Sequence, residues 1–214
     1  MAQYNIIAES QEYTVVAEYD HAATPAEGFQ SEADLEKEFI RLLVEQGYEY
    51  LPIHTEADLI SNLRAQLEKL NHYHFTDSER EHFFNECIAN KNDDIVAKTQ
   101  KIQDDYIQVL KRDTGESQNI KLIDKDNIHN NFVQVINQYV EEGGNYDTRY
   151  DVSILVNGLP LVHIELKRRG VQLKEAFNQI NRYQRDSFWA GCGLYEYVQI
   201  VVISNGTNTK YYSN

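Results

Sequence analysis

The sequence predicts an α/β protein with a mixed central β-sheet flanked by helices. Apolar residues make up 42% of the 214 residues, with only 10 Gly and 3 Pro, so a packed core with few long irregular stretches is expected. Segments with helical and strand periodicity follow one another along the chain, and strand-like runs dominate beyond residue 105. We expect a single domain over residues 1–214, with a helical insertion at about residues 55–100.

The first half of the chain begins with a predicted strand at residues 13–17. After a loop, Ser31 begins a helix, because Ser31 and Asp34 match a capping box and the following apolar residues recur with the helical period. Gly47 ends this helix. A short strand and the three helices of the insertion follow, predicted at residues 48–53, 58–70, 76–89 and 93–100.

The second half is predicted to be mainly β, with one helix. Its strand-like runs lie at residues 106–110, 120–123, 132–136, 150–156, 159–167 and 195–203. A breaker is predicted at residues 141–145, and a helix at residues 171–186. The apolar face of that helix comprises Leu173, Ala176, Phe177, Ile180 and Tyr183. Residues 210–214 resemble the start of another strand, so we expect the chain to be the N-terminal part of a longer protein.

Charge restricts the possible functions. The formal net charge is −14, from 20 basic and 34 acidic residues. A nucleic-acid binder needs cations opposite the phosphates, so this chain alone is expected to be repelled by duplex DNA. The charge therefore opposes free-standing DNA binding, but it allows DNA binding that another chain or segment supports.

Cysteine usage and apolar runs indicate the compartment. Cys87 and Cys192 show no metal-binding spacing, and no basic-then-apolar leader is present, so we expect a reducing, cytoplasmic environment. The longest apolar runs have strand length, so no membrane span is expected. Because the chain contains no GxxxxGK[ST] segment, it is not expected to bind ATP through a P-loop.

A predicted hairpin contains two carboxylates and a lysine whose spacing suggests chemistry. Glu165 and Lys167 are two residues apart on one strand, so their side chains lie on the same face. Asp151 begins the other strand. Mg²⁺ prefers one or two carboxylates plus water, so Asp151 and Glu165 are candidate metal ligands, with the Leu166 carbonyl as a third. Lys167 would act on the attacking water and on transition-state charge in phosphodiester hydrolysis. The alternative is an ordinary salt bridge across a hairpin.

The turn decides whether the two carboxylates meet. A two-residue type I′ turn at Asn157 and Gly158 would pair residue 151 with residue 164 and place the carboxylates on opposite faces. An odd-membered loop would pair residue 151 with residue 165 instead. Because Pro160 has no N–H for a ladder and prefers a loop or edge, we expect the odd-membered loop.

These residues carry a resemblance to known nucleases. Asp151, Glu165 and Lys167 resemble the PD-(D/E)xK signature, with a tyrosine where the signature has its proline. Gln179-x-x-x-Tyr183 on the next helix resembles the QxxxY motif of the RecB-like branch. Gln179 and Tyr183 are one helical turn apart, so they would reach a DNA phosphate or brace the catalytic strand. Alternatively, Tyr183 extends the apolar stripe of its helix.

Longer stretches resemble the N-terminal nuclease domain of type I restriction enzyme motor (R) subunits. They lie at residues 8–10, 31–36, 149–170, 175–183 and 203–207, so the resemblance covers essentially the whole chain. It implies a restriction-endonuclease-like fold and a type I site-specific deoxyribonuclease that uses Mg²⁺ to cut double-stranded DNA when an ATP-driven motor stalls. It also implies that ATP is required by the full-length translocase rather than bound by this chain, and that methyltransferase and specificity subunits are partners.

The resemblance also suggests supporting residues. In RecB-like nucleases the first helix contributes an acidic residue, and Glu36 lies at that place, with Glu32 one turn earlier. The alternative for both is favourable charge at a helix N-terminus, which we prefer for Glu32. Arg168 and Arg169, with Lys174 nearby, form a basic cluster that would contact DNA phosphates or offset the surrounding acidic residues. A rival function for the whole chain is a non-catalytic docking module whose acidic surface binds a basic partner.

Overall fold

The computed structural model describes residues 4–9, 15–19, 31–143 and 148–213. Contacts between residues divide the chain into a unit up to Gln30 and a unit from Ser31 onward. The first unit contains an antiparallel hairpin of β1 (Tyr4–Glu9) and β2 (Val15–Tyr19), with an irregularity between Ile6 and Ala8. The strand predicted at residues 13–17 overlaps β2, and residues 13 and 14 lie outside the described residues.

Five α-helices and eight strands make up the described part of the second unit. The helices are α1 (Glu32–Glu45), α2 (Glu56–Asn71), α3 (Asp77–Phe83), α4 (Ile95–Gln103) and α5 (Leu173–Asp186). The strands are β3 (Glu49–Tyr50), β4 (Ile107–Lys111), β5 (Ser117–Lys121), β6 (Val133–Glu141), β7 (Thr148–Val156), β8 (Leu159–Leu166), β9 (Ile200–Ser204) and β10 (Thr209–Ser213).

The central sheet is mixed, as predicted. Its strand order is β10-β9-β8-β7-β6-β3. The pairs β3–β6 and β8–β9 are parallel, and the other neighbouring strands are antiparallel. Strands β4 and β5 form a separate antiparallel hairpin. The α/β class and the helical region at about residues 55–100 are therefore confirmed.

The two faces of the central sheet carry different helices. On one face, Leu35, Phe39 and Ile40 of α1 pack on a cluster that includes Val152 and Ile164; we call this the α1 side. On the other face, buried residues of α2 and α5 pack in the main core; we call this the α5 side. The predicted insertion is therefore partly core structure, since the α2 residues Leu59, Leu63 and Leu67 are almost completely buried.

Helix α1 begins as its sequence predicts. The Ser31 hydroxyl accepts the Asp34 N–H, and the Asp34 carboxylate in turn accepts the Ser31 backbone N–H, which completes the capping box. This cap satisfies donors that the first helical turn leaves without partners. The cap therefore fixes where α1 starts, one turn before Glu36.

Other boundaries differ from the predictions. Strand β6 continues through Glu141, so the predicted breaker begins too early. Residues 195–197, predicted as strand, belong to a 3₁₀ turn over Leu194–Tyr197, and the strand β9 begins only at Ile200. Phe177 was placed on the apolar face of α5, but it is 41% exposed and packs edge-on against Tyr212.

Two properties that bear on location are visible in the described ranges. None of their helices has the length and apolar character needed to cross a membrane. Cys87 and Cys192 are both free thiols. Burial raises the pKa of each thiol, so neither has the lowered pKa that marks a reactive cysteine.

Candidate active site

The connection between β7 and β8 is a two-residue turn. Asn157 and Gly158 have φ angles of 51° and 83°, and a type I′ turn requires left-handed backbone at both positions. Hydrogen bonds hold the buried Asn157 side-chain amide in place: it donates to the Leu122 carbonyl at 2.9 Å and accepts the Phe132 N–H at 2.9 Å. A Cβ on Gly158 would lie 2.5 Å from Cα of Leu63 in α2. The predicted odd-membered loop is therefore wrong.

A β-bulge nevertheless produces the predicted pairing of the carboxylates. Near the turn, Leu155 pairs with Pro160, but the register then shifts, and Val152 pairs with Ile164. Leu161 is the extra residue on β8, and extending the shifted register by one residue beyond the last recorded pair places Asp151 opposite Glu165. Pro160 is tolerated because the pairing of β8 with β9 begins only at Val162, so no neighbour on that side needs its missing N–H.

The three predicted catalytic side chains converge at the end of this hairpin. The Lys167 ammonium donates to Glu165 Oε1 at 2.7 Å, and the Glu165 side chain is completely buried. Asp151 Oδ2 accepts the backbone N–H of Leu166 at 2.9 Å. Glu165 Oε2 has no hydrogen-bond partner, and it lies 3.7 Å from His163 Nε2.

Burial and charge change the acidity of two of these groups. Burial, and after it the neighbouring Glu165 carboxylate, raise the pKa of Asp151 from 3.8 to about 7, against the opposing effects of the Leu166 N–H and the Lys167 ammonium. Burial by itself lowers the pKa of Lys167, but attraction to Glu165, Asp151 and Glu32 outweighs it and the pKa is raised. Lys167 is therefore a charged donor at neutral pH and not a ready proton acceptor.

Glu36 of α1 reaches the same place. Its Oε1 accepts the Asn137 side-chain amide at 2.6 Å, and its Oε2 accepts the amide of Gln138. Its negative charge also contributes to the raised pKa of Asp151. The structure thus brings the acidic residue expected from the first helix to the site, where two amides of β6 orient it.

An irregularity in the sheet lets groups from both faces meet at Asp151. Gln138 has a φ angle of 52°, a conformation that costs a non-glycine residue on the order of 1–3 kcal/mol. The pairs on either side, 137 with 152 and 139 with 150, place Gln138 opposite Asp151. Tyr150 packs on the α5 side and Val152 on the α1 side, although they are two residues apart. The usual alternation is therefore broken at Asp151.

Gln179 and Tyr183 form one unit on α5. The Gln179 amide donates to the Tyr183 hydroxyl, which lies 3.5 Å from the Arg149 carbonyl on β7. The Tyr183 ring packs against the rings of Tyr150 and His163. Burial raises the pKa of Tyr183, and the charge of Glu165 raises it further. The Tyr183 ring extends the core, as one interpretation from the sequence expects, and its supporting role at the site stays a prediction.

The basic residues after β8 lie at the surface next to the site. Arg168 and Arg169 are exposed and follow Lys167 directly. The backbone N–H of Arg168 donates to the Glu32 carboxylate at 3.2 Å. Glu32 therefore does more than supply charge at the start of α1, because it also holds the segment that carries these arginines.

A cleft of about 460 Å³ gives Lys167 access to solvent. The residues that line it are Lys167, Glu175, Asn178, Gln179, Asn181, Arg182 and Arg185. Five of these, Glu175, Asn178, Asn181, Arg182 and Arg185, were not among the predicted site residues. Their signal in the sequence is the polar face of α5, which lies opposite the buried Ala176 and Ile180.

The donor set fits a small divalent cation. Asp151 and Glu165 face each other, and the unpartnered buried oxygen of Glu165 is an acceptor that only a cation or donor can satisfy. Across the described ranges, no three His, Cys, Asp or Glu side chains converge in a metal-binding group. The remaining ligands would therefore be the Leu166 carbonyl and water, which suits Mg²⁺ because it retains several waters.

Comparison with known proteins shows the family to which the chain is similar. Residues 29–214 match the family model described as "Type I restriction enzyme R protein N terminus". The Escherichia coli "Type I restriction enzyme EcoprrI endonuclease subunit" is 47% identical over 97% of this chain and 66% of its own length. The Staphylococcus saprophyticus "Type I restriction enzyme SsaAORF53P endonuclease subunit" is 39% identical over 87% of this chain and 20% of its own length. A putative subunit from Methanocaldococcus jannaschii, "MjaIXP", is 36% identical over 47% of this chain and 10% of its own length.

The chain thus spans from a tenth to about two thirds of the length of these relatives. The family model covers most of the chain, including α1, the β7–β8 hairpin and α5. The resemblance to the N-terminal region of type I restriction enzyme R subunits is therefore confirmed at the level of the family. The chain belongs to the family of N-terminal regions of type I restriction enzyme R proteins.

Proposed function

We propose that this chain is a Mg²⁺-dependent endonuclease domain that cleaves phosphodiester bonds of double-stranded DNA within an ATP-dependent type I restriction complex. The observation that carries the proposal is the convergence of Asp151, Glu165 and Lys167 at the bulged end of the β7–β8 hairpin. Burying two carboxylates side by side is costly unless a cation joins them, which favours a metal site over a structural ion pair.

Each side chain has a distinct task in this proposal. Asp151 and Glu165 would hold Mg²⁺, with the Leu166 carbonyl as a third protein ligand. When bound, the metal polarises a phosphate oxygen and lowers the pKa of a coordinated water. Since metal binding requires the ionised carboxylate, the pKa of about 7 at Asp151 implies that affinity rises with pH up to about neutrality.

Lys167 would stabilise charge that develops on the phosphate. Its raised pKa keeps it an ammonium, and its bond to Glu165 at 2.7 Å fixes its position beside the metal ligands. The cleft along α5 would bring the DNA backbone to it. Gln179 and Arg182 line that cleft, and the exposed Arg168 and Arg169 follow Lys167 directly, so these four are the candidate phosphate contacts.

The rest of the complex would supply what this chain lacks. With a net charge of −14, the chain offers few cations for duplex DNA, so partner subunits and a motor segment would hold and deliver the substrate. We propose that methyltransferase and specificity subunits are those partners and that ATP acts on the motor. The free thiols support a cytoplasmic location.

The rival function, an acidic docking module, has less support. A docking surface places its charges in solvent, where a basic partner can reach them, whereas Glu165 is fully buried. A docking role also gives no reason for Asp151, Glu165 and Lys167 to meet at a bulge.

Plasmid cleavage by the assembled complex tests the proposal. With Asp151→Asn in the full-length subunit, we expect loss of double-strand cleavage, while ATP hydrolysis stays at the wild-type rate because that activity belongs to another part of the protein. Asp105→Asn, which removes an exposed aspartate, is the matched control. Undiminished cleavage by Asp151→Asn would refute the nuclease assignment.

A further inference from the structure

His163 is a buried polar residue without a hydrogen bond. Its side chain is 0% exposed, and neither ring nitrogen has a hydrogen-bond partner. Buried polar groups without partners are rare, because each loses its hydration without gaining a hydrogen bond in exchange. His163 Nε2 lies 3.7 Å from Glu165 Oε2, and this oxygen also lacks a hydrogen-bond partner. The two unsatisfied groups therefore face each other.

An aromatic cage fixes the direction of the imidazole. Its ring makes edge-on contacts with Tyr150, Tyr183 and Phe188, with centroid distances of 5.2, 5.9 and 5.7 Å. Such a cage accepts any flat ring, and a phenylalanine there would fill it without ring nitrogens that need hydrogen-bond partners. The packing therefore explains a ring at this position, but it does not explain a ring with nitrogens.

The position of His163 on β8 supplies the explanation. His163 and Glu165 are two residues apart on the strand, so both side chains lie on the α5 side. Glu165 Oε1 is already bound to Lys167. A carboxylate oxygen carries two lone pairs, so Oε2 can accept one hydrogen bond and still coordinate a cation.

We propose that His163 is a positioning residue that donates Nε2–H to Glu165 Oε2 and holds the carboxylate in the orientation that binds the divalent cation. The inference rests on the proposed metal site. Closing the 3.7 Å separation to a hydrogen bond requires a movement of less than about 1 Å. Carboxylates that bind metals are themselves held by hydrogen bonds, and loss of such a partner costs about 10- to 100-fold in metal affinity.

Metal titration of matched variants tests this role. Mn²⁺ binding to the 214-residue chain is measured calorimetrically for wild type, His163→Phe, His163→Gln and Asp151→Asn. His163→Phe keeps a ring in the cage and removes both nitrogens, so we expect at least tenfold weaker binding. His163→Gln retains a donor near the Nε2 position, so we expect substantial rescue. Thermal unfolding of each variant reports whether the fold is retained.

The outcomes separate the inference from the proposed function. If Asp151→Asn loses Mn²⁺ but His163→Phe binds as wild type does, or if His163→Gln gives no rescue, the positioning role is overturned and the metal site stands. If wild type and Asp151→Asn bind Mn²⁺ equally or not at all, the metal site fails and the positioning role fails with it.

A spectroscopic measurement on the wild-type chain does not depend on the folding of His163→Phe. The imidazole ¹⁵N resonances of His163 are assigned by comparison with His163→Gln and followed as Mg²⁺ is added. We expect the Nε2 resonance to shift on saturation in wild type, and not in Asp151→Asn. An Nε2 resonance that Mg²⁺ leaves unchanged in a chain that binds Mg²⁺ overturns the proposal.

Discussion

Replacing Asp151 with asparagine is expected to stabilise the metal-free protein at alkaline pH. Asn keeps a similar shape and an oxygen that can accept the Leu166 N–H, and it removes the charge that burial and Glu165 disfavour. The gain in the free energy of unfolding should depend on pH, because the cost of Asp151 depends on its ionisation.

The magnitude follows from the pKa. In the folded chain the pKa of Asp151 is about 7 instead of 3.8, which corresponds to roughly 4 kcal/mol when the carboxylate is ionised in both states. Below pH 3.8 both states are protonated and the carboxyl imposes no such cost. As pH rises from 3.8 to about 7 the unfolded chain ionises first, so the folded state loses stability. Between pH 5 and pH 8 the loss is roughly 2–3 kcal/mol.

Urea unfolding in EDTA at pH 5 and pH 8 measures this effect. The free energy of unfolding of Asp151→Asn minus that of wild type should increase by roughly 2–3 kcal/mol from pH 5 to pH 8. Other titrating groups, including Glu141 with its raised pKa of about 8, are present in both proteins and cancel. Asp105→Asn serves as the control for removing an exposed carboxylate. A difference that stays constant across this range would refute the buried, like-charged environment described for Asp151.

Three further predictions concern the site, the turn and the isolated chain. Lys167→Ala should reduce DNA cleavage by the assembled complex at least about 100-fold and leave Mn²⁺ binding nearly unchanged, because the ammonium stabilises transition-state charge and is not a metal ligand. Undiminished cleavage would refute the catalytic role of Lys167. Gly158→Ala should lower the free energy of unfolding by more than about 2 kcal/mol, because its Cβ would meet Leu63. Gly115 also has a positive φ but faces open space, so Gly115→Ala should cost about 1 kcal/mol. Equal losses of stability in urea unfolding would contradict the close approach of Gly158 to Leu63. The isolated chain should nick plasmid poorly in low salt with Mg²⁺, and efficient nicking at sub-micromolar protein would show that it holds DNA unaided.

The elements around the site were predictable because their signals are local. The capping box of Ser31 and Asp34 fixed the start of α1, and thereby the position of Glu36 on the helix. The spacing of Glu165 and Lys167 fixed their common face. The shift in register across the hairpin was predicted from a wrong loop: Pro160 did signal an irregularity, but the extra residue is Leu161 within the strand.

The features that escaped prediction depend on contacts distant in sequence. The left-handed Gln138 lies in a stretch that reads as ordinary strand, and its conformation is linked to Glu36 of α1 through an amide contact. The cage around His163 joins residues of β7, β8 and α5 with Phe188. Nothing in the sequence near His163 indicates that its nitrogens lack partners, because that absence is a property of the packed core.

The most direct test of the account is a crystal of this chain soaked in Mn²⁺ and measured at the manganese absorption edge. The account predicts an anomalous peak between the Asp151 and Glu165 carboxylates, at about 2.1 Å from one oxygen of each, and no such peak in Asp151→Asn. A fully soaked crystal with no peak at these carboxylates, or with Mn²⁺ bound only elsewhere on the acidic surface, would contradict the claim that this hairpin is a metal-dependent active site.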